Sequence, residues 1–169
     1  MSHLMREPTT KDIAEYFRLA LEAGLCHENE VESWADTMIA ETSSPIPDWL
    51  LKLSVEKETS KNALLQAVPG VANELTLWSL LLARISIANR VKQISREQIL
   101  SVLNDWSLTR NREIPKPICG DFYGLFQSFD GVEEGWHPEE KFIKDVEDFF
   151  VQFRSFEPFV PQSTFQVLR

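Results

Sequence analysis

Between Val71 and Lys92 the chain reads VANELTLWSLLLARISIANRVK, and from Leu75 to Ala83 it carries no charged side chain. At 3.6 residues per turn the apolar side chains fall almost all the way round the axis, a pattern of helices that neighbours bury on every side. Glu74, Arg84, Asn89 and Arg90 interrupt the run well short of the roughly 20 apolar residues that a bilayer span needs. The stretch therefore predicts a buried core helix over 71–92 and no membrane association. The rest of the chain must supply one-sided helices to cover it.

Such helices can be read on both sides. Thr9 or Thr10 caps a helix starting near Lys11, with Asp12 favourable in the first turn and Gly24 as the stop. A second helix from about Asn29 aligns Val31, Trp34, Ala35, Met38 and Ile39 on one face and ends at Pro45 and Pro47. Pro47 opens a short helix carrying Trp49, Leu50 and Leu53. Thr59 or Ser60 caps another with Leu64, Leu65 and Val68 inward, closed by the Pro69-Gly70 turn. Ser95 and Gln98 form a capping box for a helix bearing Ile99, Leu100, Leu103 and Trp106.

Past Trp106 the stretch TRNREIPKPICGD reads as a linker. Phe122, Leu125, Phe126 and Phe129 then have helical spacing, with a small β-hairpin near 122–136, turning at Asp130-Gly131, as the alternative. His137-Pro138 starts a last long helix whose stripe is Phe142, Ile143, Val146, Phe149, Phe150 and Phe153. Pro158 and Pro161 rule out its continuation, so 155–169 is expected as an extended tail whose Phe156, Phe159, Phe165 and Leu168 dock on the body or a partner. Residues 1–9 are expected to be non-helical. The expectation is an all-α, single-domain bundle, 1–169, of about seven helices around the central one.

At 169 residues and 43% hydrophobic the chain can bury a core without disulfide or metal support. Cys26 and Cys119 lie far apart with no CxxC companion, which indicates reduced thiols. The N-terminus lacks the apolar run of a secretory signal, so the expected location is cytoplasmic. No pattern specifies a chemistry. His137-Pro138-Glu139-Glu140 contains metal-ligand types, but proline and first-turn carboxylates are also what a helix start favours. Cys119-Gly120-Asp121 has no histidine near it in sequence to activate a nucleophile. No Walker-type glycine loop is present, so no cofactor, metal or enzymatic activity is expected.

Charge says more than any motif. The net charge is −9, which disfavours nucleic acid and anionic membrane as partners and favours a basic one. From Pro117 to Asp148 nine carboxylates stand against Lys141 and Lys144, whereas 84–116 holds seven bases and three acids. Glu28, Glu32 and Asp36 repeat at i, i+4 on the second helix, a mildly unfavourable array when unrelieved. The candidate binding surface is therefore Glu28, Glu32 and Asp36 together with Asp130, Glu133, Glu134, Glu139 and Glu140, with Trp136 as an aromatic anchor. The alternative is a solvated face neutralised by the basic segment.

The stretch EVESWADTMIAETSSPIPDWLLKLS, with Trp34-Ala35-Asp36, the pair Pro45 and Pro47, and Leu50 and Leu53, resembles small all-helical bacterial immunity proteins of polymorphic or contact-dependent toxin systems. The resemblance covers the first two thirds of the chain and implies a non-enzymatic protein that neutralises a cognate toxin domain. A different class, a helical adaptor docking through Phe156, Phe159 and Phe165, is the competing expectation.

Overall fold

A computed structural model describes residues 6–43, 45–110 and 113–161. Eight α-helices and one short 3-10 helix are found among them, with no strand. By its contacts the chain divides into two compact units, 1–77 with 158–169, and 78–157, the division falling inside one helix.

In the first unit α1 (Thr10–Glu22) starts as its sequence dictates. Thr9 is the N-cap, its hydroxyl accepts from the Asp12 amide, and the Asp12 carboxylate accepts the Thr9 N–H. Ala14, Phe17 and Ala20 are buried on its inner face. Then α2 (Glu28–Glu41) packs against α3 (Asp48–Val55), which also meets α4 (Lys61–Gln66), and α4 packs on α1. The rings of Phe17 and Trp34 meet at 5.4 Å between centroids. Besides Asp12, a second charge is internal here: Lys61 is buried, and its ammonium donates to the carbonyls of Leu53 (2.8 Å) and Glu56 (2.9 Å) at the end of α3. A helix C-terminus leaves carbonyls unpaired and carries partial negative charge, so a cation satisfies both.

The uncharged run forms α5 (Glu74–Arg90), narrower than the expected 71–92 because Val71 is exposed ahead of it. Every residue from Thr76 to Ser86 is buried, as all-round apolarity demands. Its C-terminus is closed by Gln93 N–H to Ala88 O (2.9 Å) and Lys92 N–H to Asn89 O (3.1 Å). That pairing is the Schellman motif and places Lys92 at φ 56°, the left-handed region where a Cβ is disfavoured. Lys92→Gly should therefore stabilise the protein by roughly 0.5–1 kcal/mol, the relieved strain less glycine's extra unfolded-state freedom. A urea midpoint that falls or stays put would contradict this.

In the second unit α6 (Arg96–Thr109) opens on the expected box, with Gln98 N–H to Ser95 Oγ at 3.2 Å and Ser95 N–H to Gln98 Oε1 at 2.7 Å. Trp106 meets Trp78 edge to face at 5.1 Å, and the Trp78 indole N–H donates to Glu113 O at 2.9 Å. The next element departs from expectation at its start: the supposed linker supplies the first residues of α7 (Lys116–Glu133), because Pro115 at the N-cap and Pro117 in the first turn occupy positions where a missing N–H leaves no bond unmade. Residues 122–133 are helical, as the spacing of Phe122 and Leu125 favours, and longer than the short helix expected; the alternative hairpin does not form, and the chain turns at Gly135 (φ +76°), not at Asp130-Gly131.

Against α7 packs α8 (Glu139–Val151), through ring pairs Phe122–Phe149 and Phe129–Phe142. The region expected as an extended tail begins instead with a 3-10 helix, Arg154–Phe159, entered through Phe156 N–H to Phe153 O (2.9 Å). Pro158 fits there because so short a helix asks for few amide donors. Its Glu157 accepts from Ser86 (3.1 Å) and Arg90 of α5. Phe165 and Leu168 lie outside the described residues.

Candidate protein-interaction surface

The end of α7 sets the geometry of Trp136, the most exposed tryptophan among the described residues. Glu134 is the C-cap and Gly135 follows in the left-handed conformation. Gly135 N–H bonds to Val132 O (3.0 Å) and Trp136 N–H to Gly131 O (2.7 Å), so α7 ends in the same motif as α5. In that motif the residue after the left-handed one usually lays an apolar side chain on the residue five positions earlier. Here that earlier residue is Gly131, which has no side chain to receive it, and Trp136 is left 74% exposed while Trp78 and Trp106 are buried. Gly131 is also required by a close approach: a Cβ built there would lie 2.5 Å from His137 Cδ2. His137 N–H shares the Gly131 carbonyl at 2.9 Å, so the backbone on both sides of the Trp136 peptide is fixed.

Around Trp136 the chain is exposed without a break from Glu133 to Lys141. Asp130, Glu133, Glu134 and Glu140 are exposed, and among the described residues no ion pair reaches them. Glu139 is paired with Arg96, so the basic segment neutralises one carboxylate of this group. Elsewhere that segment spends Arg90 on Glu157 and Arg110 on Glu113, neither a predicted site residue. Asp145, further along α8, is tied to Lys141 and to Ser128 of α7; the Lys141 hydrogen bond, then that of Ser128, holds its carboxyl below the ordinary range.

The α2 carboxylates belong to the other unit and differ in kind. Glu28 is exposed at the first turn. Glu32 is partly buried and bridges Lys57 and Lys61 (3.2 Å to the latter); the hydrogen bond from Lys57, with Lys61 beside it, lowers its pKa. Asp36 accepts a hydrogen bond from Ser54 of α3. Two of these three acids therefore work inside the first unit, joining α2 to α3 and to the α3–α4 connection. The like-charge array read along α2 is relieved by residues that local spacing does not reveal.

A groove of about 870 Å³ lies between α6 and α7, with Asn104, Ser107, Lys116, Phe122 and Tyr123 in its wall. Cys119 also lines it, with no histidine or carboxylate beside it in the wall. Among the described residues no three His, Cys, Asp or Glu side chains converge as a metal ion requires, and no helix is long and apolar enough to cross a membrane. Comparison with protein-family models, curated proteins and solved structures gives no match to this chain.

Proposed function

We propose that the chain is a non-enzymatic binding protein of the immunity type, which neutralises a basic toxin domain by covering its cationic substrate-binding surface. The observation that carries this reading is Trp136, exposed on a fixed helix cap and close in sequence to Asp130, Glu133, Glu134 and Glu140, which no ion pair reaches among the described residues. An aromatic side chain flanked by like charges meets two needs of a tight interface. The acids accelerate encounter with a basic surface, and the ring excludes water at the contact. Glu28 adds to the acidic potential of the first unit, while Glu32 and Asp36 are better explained by the pairs they make with Lys57, Lys61 and Ser54.

The adaptor reading has less support. Phe156 and Phe159 are half-buried and Val160 is buried, so the described part of the tail offers no free aromatic row.

The test is co-expression with the product of the adjacent gene, the partner that this reading expects to be a toxin. Cells should survive with the wild-type protein, and the two chains should co-purify. Death of the cells with no recoverable complex would sink the reading.

A further inference from the structure

The geometry points to Trp136 as the seat for an arginine side chain of the partner, held over the indole with its guanidinium facing the carboxylates of the α7–α8 connection. This rests on the reading of the chain as a binding protein and goes beyond it by naming the group recognised and the residue that displays the anchor.

Three observations converge. The indole is 74% exposed, so its ring is open to a ligand in the free protein. Its backbone is pinned by the 2.7 Å bond to Gly131 O, with His137 pinned to the same oxygen, so little main-chain freedom is lost on binding. Asp130, Glu133, Glu134 and Glu140 stand exposed within six residues of it in sequence, with no ion pair among the described residues. A cation that stacks on an aromatic face and also donates several hydrogen bonds to carboxylates fits this composition. Guanidinium does both, being planar, weakly hydrated and rich in donors, whereas the compact, strongly hydrated ammonium of lysine stacks less well. Charge complementarity thus selects an arginine-bearing protein segment and disfavours an acidic or nucleic-acid occupant. Gly131 is a positioning residue: a methyl group there would lie 2.5 Å from the His137 ring, which must shift beside the cap that presents the indole.

The test uses the full chain and two fluorescein-labelled peptides, octa-arginine and octa-lysine, with binding followed by fluorescence anisotropy at low salt. Wild type should prefer the arginine peptide, and the Trp136 indole N–H resonance, assigned by its loss in Trp136→Ala, should shift on titration. Trp136→Ala should weaken the arginine peptide about fivefold and abolish the preference over lysine. Trp136→Phe should retain part of it. Gly131→Ala should weaken binding with all carboxylates present, and circular dichroism confirms folding of each variant. Equal affinity of wild type and Trp136→Ala, an unmoved indole resonance, or no arginine preference would overturn the inference. A toxin complex that forms equally well with Trp136→Ala would overturn it while leaving the proposed function standing; peptide recognition without any toxin complex would do the reverse.

Discussion

Trp78→Ala should destabilise the protein by about 4 kcal/mol, within the range for removing a buried tryptophan. Trp78 is fully buried on α5, meets Trp106 of α6 edge to face at 5.1 Å, and donates its indole N–H to Glu113 O at 2.9 Å. The alanine variant loses the area, the ring contact and the hydrogen bond together, and leaves a void between α5 and α6. Trp78→Phe separates these contributions, since it keeps an aromatic ring but drops the donor and part of the volume, and should cost roughly half as much. With small-domain stability commonly near 5–15 kcal/mol, the alanine change removes a large share of the total. Chemical denaturation of both variants is the check. A loss under about 1 kcal/mol for alanine would mean that α5 does not organise the second unit.

Asp12→Ala should be nearly as damaging in the first unit, at roughly 3 kcal/mol, because hydrogen bonds to a charged acceptor each contribute about 1.5–3 kcal/mol and are partly redundant. The Asp12 carboxylate is fully buried and accepts from Thr9 N (2.7 Å), Thr9 Oγ (2.8 Å), Asn73 N (2.7 Å) and Arg6 (3.1 Å). It thus caps α1 and ties that helix to the segment leading into α5. Burial pushes its carboxyl upward, but the Asn73 and Thr9 amides, the Thr9 hydroxyl and Arg6 outweigh burial and hold the pKa below its ordinary value. A carboxyl depressed in the folded state contributes stability that is complete above its unfolded pKa, about 3.9, and is lost as pH falls through the folded one. The gap between wild type and Asp12→Asn should therefore be constant at neutral pH and shrink only below about pH 4. A gap that closes between pH 6 and 8 would contradict the assignment.

Most of the helical pattern could be read from residues whose effect is local. The capping box of Ser95 with Gln98 acts across three residues and appears where the spacing places it, and Thr9, one of the two caps read for the first helix, caps α1. The buried run of α5 announces itself by lacking charge. What local reading misplaced was the start of α7, where Pro115 and Pro117 look like linker residues until their position relative to the helix is known. Asp130-Gly131 kept a hairpin open as the alternative to the favoured helix because aspartate followed by glycine also turns strands, whereas Gly131 lies in α7 under a close approach by the His137 ring. Of the candidate site, the sequence shows that Asp130, Glu133, Glu134, Trp136, Glu139 and Glu140 are close along the chain, and all are exposed, but not that the residue five positions before Trp136 has no side chain to receive its ring. The spacing of Gly131, Gly135 and Trp136 is the signal that would have revealed it. The pairing of Glu32 was not legible because its cations, Lys57 and Lys61, arrive from beyond α3.

The most direct test of the interaction surface is the salt dependence of the toxin complex, measured by calorimetry for wild type and for Glu133→Gln/Glu134→Gln/Glu140→Gln. The wild-type complex should weaken on the order of tenfold from low to physiological salt, as screening removes long-range attraction, and the triple variant should bind more weakly with a flatter slope. A wild-type complex indifferent to salt, or a triple variant with the same affinity and slope, would contradict the assignment of this surface.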